Sequence, residues 1–296
     1  MTNQSPHSTS AVSSKEQARS IVSSMGELPA SPEVIKVVMD RTADFNSDIQ
    51  GLSKALSADQ TITAKVLKLS NSSFYGRAHS VATLDEAIMI LGFFTLRSLV
   101  VATATHSMFD GSDAGGHQRT LWEHSLATAM ACRLVGGRVE GLNNDEAFLA
   151  GLMHDLGKLI LIQKMPEDYA KIIEKAKEEC VPFTQLEDSA FGFNHTDLGQ
   201  ALMDEWAFPP ELIESIRDHH LQDYSSAADE PVSLACVVNL ADTISNYLQI
   251  GFACKDAPEP WTTNSAARIG LDSANLKEIC EELQNSFAEE KRHFEG

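Results

Sequence analysis

Five histidines and two aspartates fall in one order along the chain: His124, the pair His154-Asp155 inside LMHDLGK, His195, the pair His219-His220, and Asp242. Imidazoles and carboxylates together suit iron, manganese, cobalt, nickel or zinc, and a carboxylate shared between two ions can hold a dinuclear pair. The set reads as a candidate dimetal site.

These residues act together only if separate helices aim them inward. Over 145–156, Ala147, Ala150, Gly151 and His154 keep the i, i+3, i+4, i+7 spacing of a buried helical face, which turns His154 to the core. After Pro209-Pro210, with Pro210 placed for a first helical turn, Leu212, Ile213 and Ile216 make a stripe that His219 and His220 extend. From Asn194, His195, Leu198, Leu202, Met203 and Trp206 form another. The run after Pro231 is almost wholly apolar until Asp242 interrupts it, and a buried carboxylate needs compensation.

Taken singly, each histidine fits a core residue satisfied by one hydrogen bond. Taken together, seven buried polar groups in four or five separate helices would each be costly without partners, and a shared cationic centre satisfies them all. Lys158, one turn past His154, has two readings: a phosphate contact that steadies developing charge, or an exposed lysine at a helix end where the dipole favours it.

The order His124, His154-Asp155, Asp242 resembles the HD superfamily of metal-dependent phosphohydrolases, and the additional His195, His219 and His220 resemble its dimetal branch, the HD-GYP phosphodiesterases. Upstream, LPASPEVI (Leu28 to Ile35), LKLSNSSFYG (Leu67 to Gly76) and LDEAIMILGFFTLRSLV (Leu84 to Val100) look like the front half of the HDOD family, the HD-related output domain. Glu187 to His220 has close counterparts there too, so the resemblance spans about residues 21–250. It implies an all-α, two-lobed protein with an HD-like helical core. It also implies one ion on His124, His154, Asp155 and Asp242, and a second on the bridging Asp155 with His195, His219 and His220. Iron or manganese come first, with zinc, nickel or cobalt as alternatives. Asp155 and Lys158 take the catalytic roles. Two divalent cations bring four positive charges against two from Asp155 and Asp242, an excess that favours hydroxide and a phosphate oxygen as further ligands.

Two departures limit what the resemblance carries. HD-GYP proteins follow the paired histidines with an acidic residue and a Gly-Tyr-Pro loop, whereas His220 runs into LQDYSSAADEP, so hydrolysis of cyclic di-GMP is not implied. Asp59-Gln60 stands where the HDOD family tends to have Asp-Pro, which removes one preset φ angle and leaves the helix start intact. The HDOD family is regarded mainly as a signalling output module. The first expectation is therefore an output protein that meets a signalling partner in trans or a small phosphorylated ligand. The alternative is an active phosphohydrolase acting on a nucleotide or phosphodiester. A homodimer is a further expectation.

Composition narrows the partners. A net charge of −19, from 42 acidic against 23 basic residues, supplies no basic stripe to displace counterions from nucleic acid. No apolar run reaches membrane-spanning length and the first twenty residues lack a secretory stretch, which gives a soluble, cytoplasmic expectation without a membrane partner. Five scattered cysteines without a CxxC argue against disulfides and against a cysteine zinc site.

Along the chain, residues 1–20 read as a disordered, Ser/Thr-rich tail, 21–110 as an N-terminal helical lobe, 118–250 as the metal-binding lobe and 251–296 as a helical extension. Ser31 with Pro32 marks a helix start, Ile49, Leu52 and Leu56 form a short stripe, and Ile62, Val66 and Leu69 form another. Thr83 with Glu86, and Thr184 with Glu187, read as capping boxes, the second opening a short helix before His195. DGSDAGGHQ, Asp110 to Gln118, is a glycine-rich hinge between the lobes. The tail ends in an amphipathic helix on Leu276, Ile279, Cys280, Leu283 and Phe287 that packs on the core. His79, His106, His117 and His293 read as surface or loop residues, Phe93-Phe94 as core, Trp122 as packing beside His124, and Asn71 to Tyr75 as polar groups that close a turn or meet a ligand. No segment alternates with period two, so no strand is expected.

Overall fold

A computed structural model describes residues 13–24, 38, 53, 56, 57, 60–71, 81–109, 115–221, 224 and 230–295, and among these every regular element is helical. The all-α expectation holds. The Ser31 helix start, the Ile49 and Leu52 positions of the short stripe, His79 and Ser72 to Tyr75 lie outside the described residues.

The N-terminal tail departs from expectation. Residues 14–20 belong to a helix, α1 (Ser14–Ser24), rather than to a disordered tail. Ser13 and Glu16 cap it reciprocally: the Glu16 amide donates to Ser13 Oγ at 3.3 Å and the Ser13 amide to the Glu16 carboxylate at 3.1 Å. Ala18 and Val22, four apart, are buried on its one apolar stripe, which supplies the burial that local composition did not.

In the front half, α2 (Gln60–Ser70) buries Ile62, Val66 and Leu69 on the predicted face. Asn71 ends it by pairing with Val81 in both directions, accepting from its amide at 2.6 Å and donating to its carbonyl at 2.9 Å, so Asn71 closes a turn. The Thr83–Glu86 capping box opens α3 (Leu84–Leu91) as expected. Next comes α4 (Phe93–Met108), buried almost all round. Phe93 and Phe94 are half-buried rather than core, and Arg97 lies over the Phe94 ring at 4.9 Å. His106 is a half-buried helical residue and not a loop one, its ring 4.7 Å from Trp122.

The rest of the chain wraps one long helix, α5 (His117–Gly136), whose buried residues run over nearly its whole length. Around it lie α6 (Asn144–Met153), α7 (Leu156–Lys164), α8 (Pro166–Glu179), α9 (Phe183–Phe191), α10 (His195–Glu205), α11 (Pro210–Asp218), α12 (Leu234–Tyr247), a 3-10 turn (Pro260–Thr262), α13 (Asn264–Ile269) and α14 (Ser273–Glu295). Helices α6, α7, α12 and α14 pack directly on α5, and α1 lies on α10. The amphipathic tail helix docks through buried Leu276, Ile279 and Leu283, as its stripe predicts. Asp145 ties the front half to this body: its carboxylate accepts from Thr95 at 2.7 Å and Arg133 at 2.8 Å, and its carbonyl from Ser98 at 2.9 Å. No helix among the described residues is long and apolar enough to cross a membrane.

Candidate metal centre

All seven predicted residues meet at one point, drawn from five places in the chain. His124 and Asp242 project from the middles of α5 and α12. The other five stand at helix ends. The 145–156 pattern reads as one helix, but the chain breaks between α6 and α7 with His154 just after one and Asp155 at the cap of the other. A periodic stripe cannot reveal such a break, because the apolar spacing continues across it. His195 opens α10 behind an Asn194–Asp197 capping box, and His219-His220 close α11, where Asn239 holds the His219 carbonyl at 2.8 Å.

Two glycines let backbone come this close. A Cβ on Gly157 would lie 1.9 Å from the His195 carbonyl oxygen, so only glycine allows α7 to run against the start of α10. Gly251, at φ +96°, would put a Cβ 2.6 Å from the Cβ of His124.

Asp155 sits at the centre and its two oxygens face different imidazoles. Oδ2 lies 3.3 Å from His154 Nε2 and 3.6 Å from His124 Nε2; Oδ1 lies 3.4 Å from His195 Nε2 and 3.9 Å from His219 Nε2. Asp242 joins the first group, its Oδ1 3.0 Å from His124 Nε2 and 3.9 Å from His154 Nε2. His220 joins the second through Nε2, 3.0 Å from His195 Nε2, a separation that a hydrogen bond or a shared cation satisfies. The potential ligand atoms of Asp155, His195, His219 and His220 fall within 4.8 Å of one another, and so do those of His124, His154 and Asp155.

The ring orientations are set from behind. His124 Nδ1 meets the Ile250 carbonyl at 3.1 Å, His154 Nδ1 the Gly151 carbonyl at 2.7 Å, and His219 Nδ1 the Ile216 carbonyl at 2.7 Å. A carbonyl only accepts, so each of these rings carries its proton on Nδ1 and turns an Nε2 lone pair inward, the tautomer that binds a metal. His195 is held by Glu187, whose Oε2 accepts from His195 Nδ1 at 2.6 Å and from its amide at 2.9 Å, while Tyr169 donates to Oε1 at 2.6 Å.

Glu187 therefore is not the capping residue its spacing from Thr184 suggests; α9 starts behind Pro182 with no side-chain cap. It is fully buried and orients His195 instead. Neither it nor Tyr169 stood out as functional in the sequence. The available signal was register: Glu187 lies four residues from both Phe183 and Phe191, which pack on the core, and eight before His195.

Electrostatics follow from burial. Burial pushes the Asp155 carboxyl up, but His154, Lys158 and His195 outweigh it and hold the group well below the carboxylate range. Burial would likewise raise Glu187 and Asp242; His195 and Lys158 bring the first down, and His124 brings the second far down. Burial, with His220 and His154 beside it, pushes His219 well below an ordinary imidazole; burial and His195 push His220 to about 3. His154 goes the other way, since Asp155 and Asp242 more than offset its burial.

Lys158 is buried, its Nζ 2.7 Å from Asp155 Oδ2 and 4.5 Å from the Phe183 ring centre. It stands in the first turn of α7, the positive end, so the exposed helix-end reading does not hold. Three carboxylates, Asp155, Asp242 and Glu187, stand against one ammonium, Lys158, among the lysine and arginine side chains at the cluster.

The donor set fits metal ions. His154 Nε2, His219 Nε2 and Asp155 Oδ1 are buried without a hydrogen-bond partner, although all three converge on one centre. Orphaned lone pairs are costly unless a cation takes them. The centre is also reachable. A cavity of about 160 Å³ is lined by His124, Asp155, Lys158, Phe183, His220 and Phe252. It shares Thr184, His220, Asp242 and Asn246 with a wider cleft of about 610 Å³, where Gln185 is exposed, Asn239 and Thr243 are half-buried, and no lysine or arginine of the described residues lines the wall.

An all-helical body that gathers imidazoles and carboxylates around a His-Asp pair is an HD-type domain. The chain belongs to the HDOD family: the model described as the HDOD domain matches residues 28–222, which leaves Asp242 beyond the matched stretch. The fold is shared with an HDOD domain protein of unknown function from Geobacter sulfurreducens, 26% identical, with a TM-score of 0.76 over 95% of this chain and 96% of that one. A candidate phosphohydrolase from Shewanella amazonensis is 24% identical, with a TM-score of 0.70 over 94% and 97%. In sequence the chain is 24% identical to an uncharacterized protein of Treponema pallidum (strain Nichols) over 93% of its own length, and it spans 52% of that relative.

The Glu187 contact gives a first prediction. Glu187→Gln keeps the shape but weakens the charge-assisted bond to His195 Nδ1, so metal affinity falls by about 10- to 100-fold at unchanged helical content. Competition against a chromophoric chelator, with circular dichroism alongside, measures both; unchanged affinity would show that Glu187 only packs.

Proposed function

We propose that this HDOD protein carries a dinuclear metal centre that hydrolyses a phosphoester. One ion takes His124, His154, Asp155 and Asp242; the other takes Asp155, His195, His219 and His220. The observation that carries the reading is the central carboxylate with one oxygen toward each group of inward-turned Nε2 atoms. When bound, such a pair supplies Lewis acidity and a nucleophile at neutral pH. The chain's own residues do the rest. Lys158 holds a positive charge at Asp155 Oδ2, beside the cavity where a phosphate would sit. Phe183 and Phe252 wall that cavity and keep water out, while the amide and hydroxyl groups of the outer cleft receive the remainder of the ligand.

A second reading, the signalling output module that meets a partner in trans, rests on Lys158 too: an ammonium 2.7 Å from Asp155 gives that carboxylate a cation without any metal. Metal analysis of freshly purified protein separates the two. Close to two transition-metal ions per chain, with phosphodiester or nucleotide turnover that a chelator abolishes, supports the enzyme; metal-free protein without turnover supports the module.

The pKa shifts set where acid first competes with metal. Protons compete with metal at each imidazole. His154 is raised, so it gains its proton first as pH falls from neutral; His219 is lowered and His220 is at about 3, so both stay available. Proton competition should therefore begin at His154. Metal content after dialysis should fall between pH 7 and pH 4, and content unchanged over that range would refute the competition.

A further inference from the structure

Of the cysteines, Cys132, Cys236 and Cys280 are buried in helices, whereas Cys180 and Cys254 are half-buried and line the same cavity. That cavity, about 170 Å³, is bounded by Cys180, Val181, Pro182, Phe183, Phe252 and Cys254. The two thiols are near enough for Cys180 to act on the Cys254 thiol. Each is placed by its backbone. Cys180 ends α8 in the left-handed conformation, φ 53° and ψ 35°, a position where glycine is the ordinary residue. Cys254 follows the Gly251–Phe252 corner, and Gln249 clasps its carbonyl at 3.0 Å.

What surrounds the pair makes it more than a chance contact. Phe183 and Phe252, three residues after Cys180 and two before Cys254, have ring centres 6.2 Å apart and wall both this cavity and the one that reaches Asp155. Gly251 and Ile250, just upstream of Cys254, press on His124 and hold its Nδ1. The two cysteines thus sit where the α8–α9 connection meets the segment after α12, and these two segments frame access to the metal centre.

We propose that Cys180 and Cys254 form a reversible disulfide that clasps these two segments over the approach to the centre. The oxidant is a low-molecular-weight disulfide. One cysteine thiolate attacks a sulfur of that disulfide, forms a mixed disulfide and expels one small thiolate. The second cysteine thiolate attacks the protein sulfur of the mixed disulfide and expels the other. The protein loses two electrons and two protons, and the small disulfide is reduced to two thiols. Burial and the neighbouring Cys180 thiol raise the Cys254 thiol, which slows the reaction at neutral pH and makes it faster as pH rises.

The experiment equilibrates the full-length protein with mixtures of oxidised and reduced glutathione, quenches with acid and counts thiols under denaturing conditions. The count is expected to fall from the five free cysteines to three, with one peptide linking Cys180 to Cys254 in the mass spectrum, and dithiothreitol should restore five. Cys180→Ser and Cys254→Ser should each stop at a mixed disulfide with glutathione. Amide hydrogen exchange tests the clasp separately from any metal or turnover: residues 181–184 and 251–254 should exchange several-fold more slowly in the oxidised form. A count that stays at five in fully oxidising buffer, or a link through another cysteine, overturns the disulfide; a link with unchanged exchange in both segments overturns the clasp.

Discussion

On the proposed dinuclear reading, Asp155→Asn should abolish phosphoester turnover, by at least about a thousandfold, and lower the metal content from the proposed two ions per chain to fewer than one. The asparagine keeps the shape but removes the charge on which both metal groups and Lys158 depend. Oδ1 and Oδ2 face different imidazoles, so no neighbour replaces the bridge. Lys158 then becomes a buried ammonium without its nearest partner, which destabilises the fold by about 3–5 kcal/mol. Asp155→Asn combined with Lys158→Met separates the two effects: stability should recover while metal content stays low. Elemental analysis and urea unfolding measure them, and two ions per chain in Asp155→Asn would remove the bridging role.

Gly157→Ala should be the most damaging of the glycine-to-alanine changes among the described residues. Its Cβ would stand 1.9 Å from the His195 carbonyl oxygen and 2.7 Å from the carbonyl carbon, both backbone atoms that no rotamer change can move. Either α7 or the start of α10 must shift, and His195 shifts with it. A cost on the order of 4 kcal/mol or more is expected, beyond the ordinary range for one substitution. Gly270→Ala is the control, since nothing lies within 4 Å of a Cβ there and only its φ of +81° resists the change. An unfolding midpoint for Gly157→Ala equal to that of the parent protein would contradict the packing described.

How far the sequence could be read depended on how local each signal was. His154, His195, His219, His220 and Asp242 were legible because a polar side chain on an apolar helical stretch is conspicuous in one dimension; His124 and Asp155 came with the residue order that resembles the HD superfamily, and the structure brings all seven together. Glu187 was hidden by a competing local motif: Thr184 and Glu187 have capping-box spacing, and only the tertiary position of His195 shows what the carboxylate serves. For α1 the local motif was present and the composition misled. Ser13 and Glu16 form a cap, but the serine-rich stretch hides a small face of Ala18 and Val22, with Ile21 half-buried beside it. The break before Asp155 was invisible for the opposite reason, since periodicity runs straight through it.

The contact between Lys158 and Asp155 has a consequence for biosynthesis. A nascent chain emerging from the ribosome holds the His-Asp pair long before α12 supplies Asp242, so the acidic centre must survive a period with its ligand shell incomplete. An ammonium only three residues away in sequence is made almost simultaneously with the carboxylate it accompanies. The protein thereby carries its own counterion for Asp155, and the body can be assembled before any metal is bound.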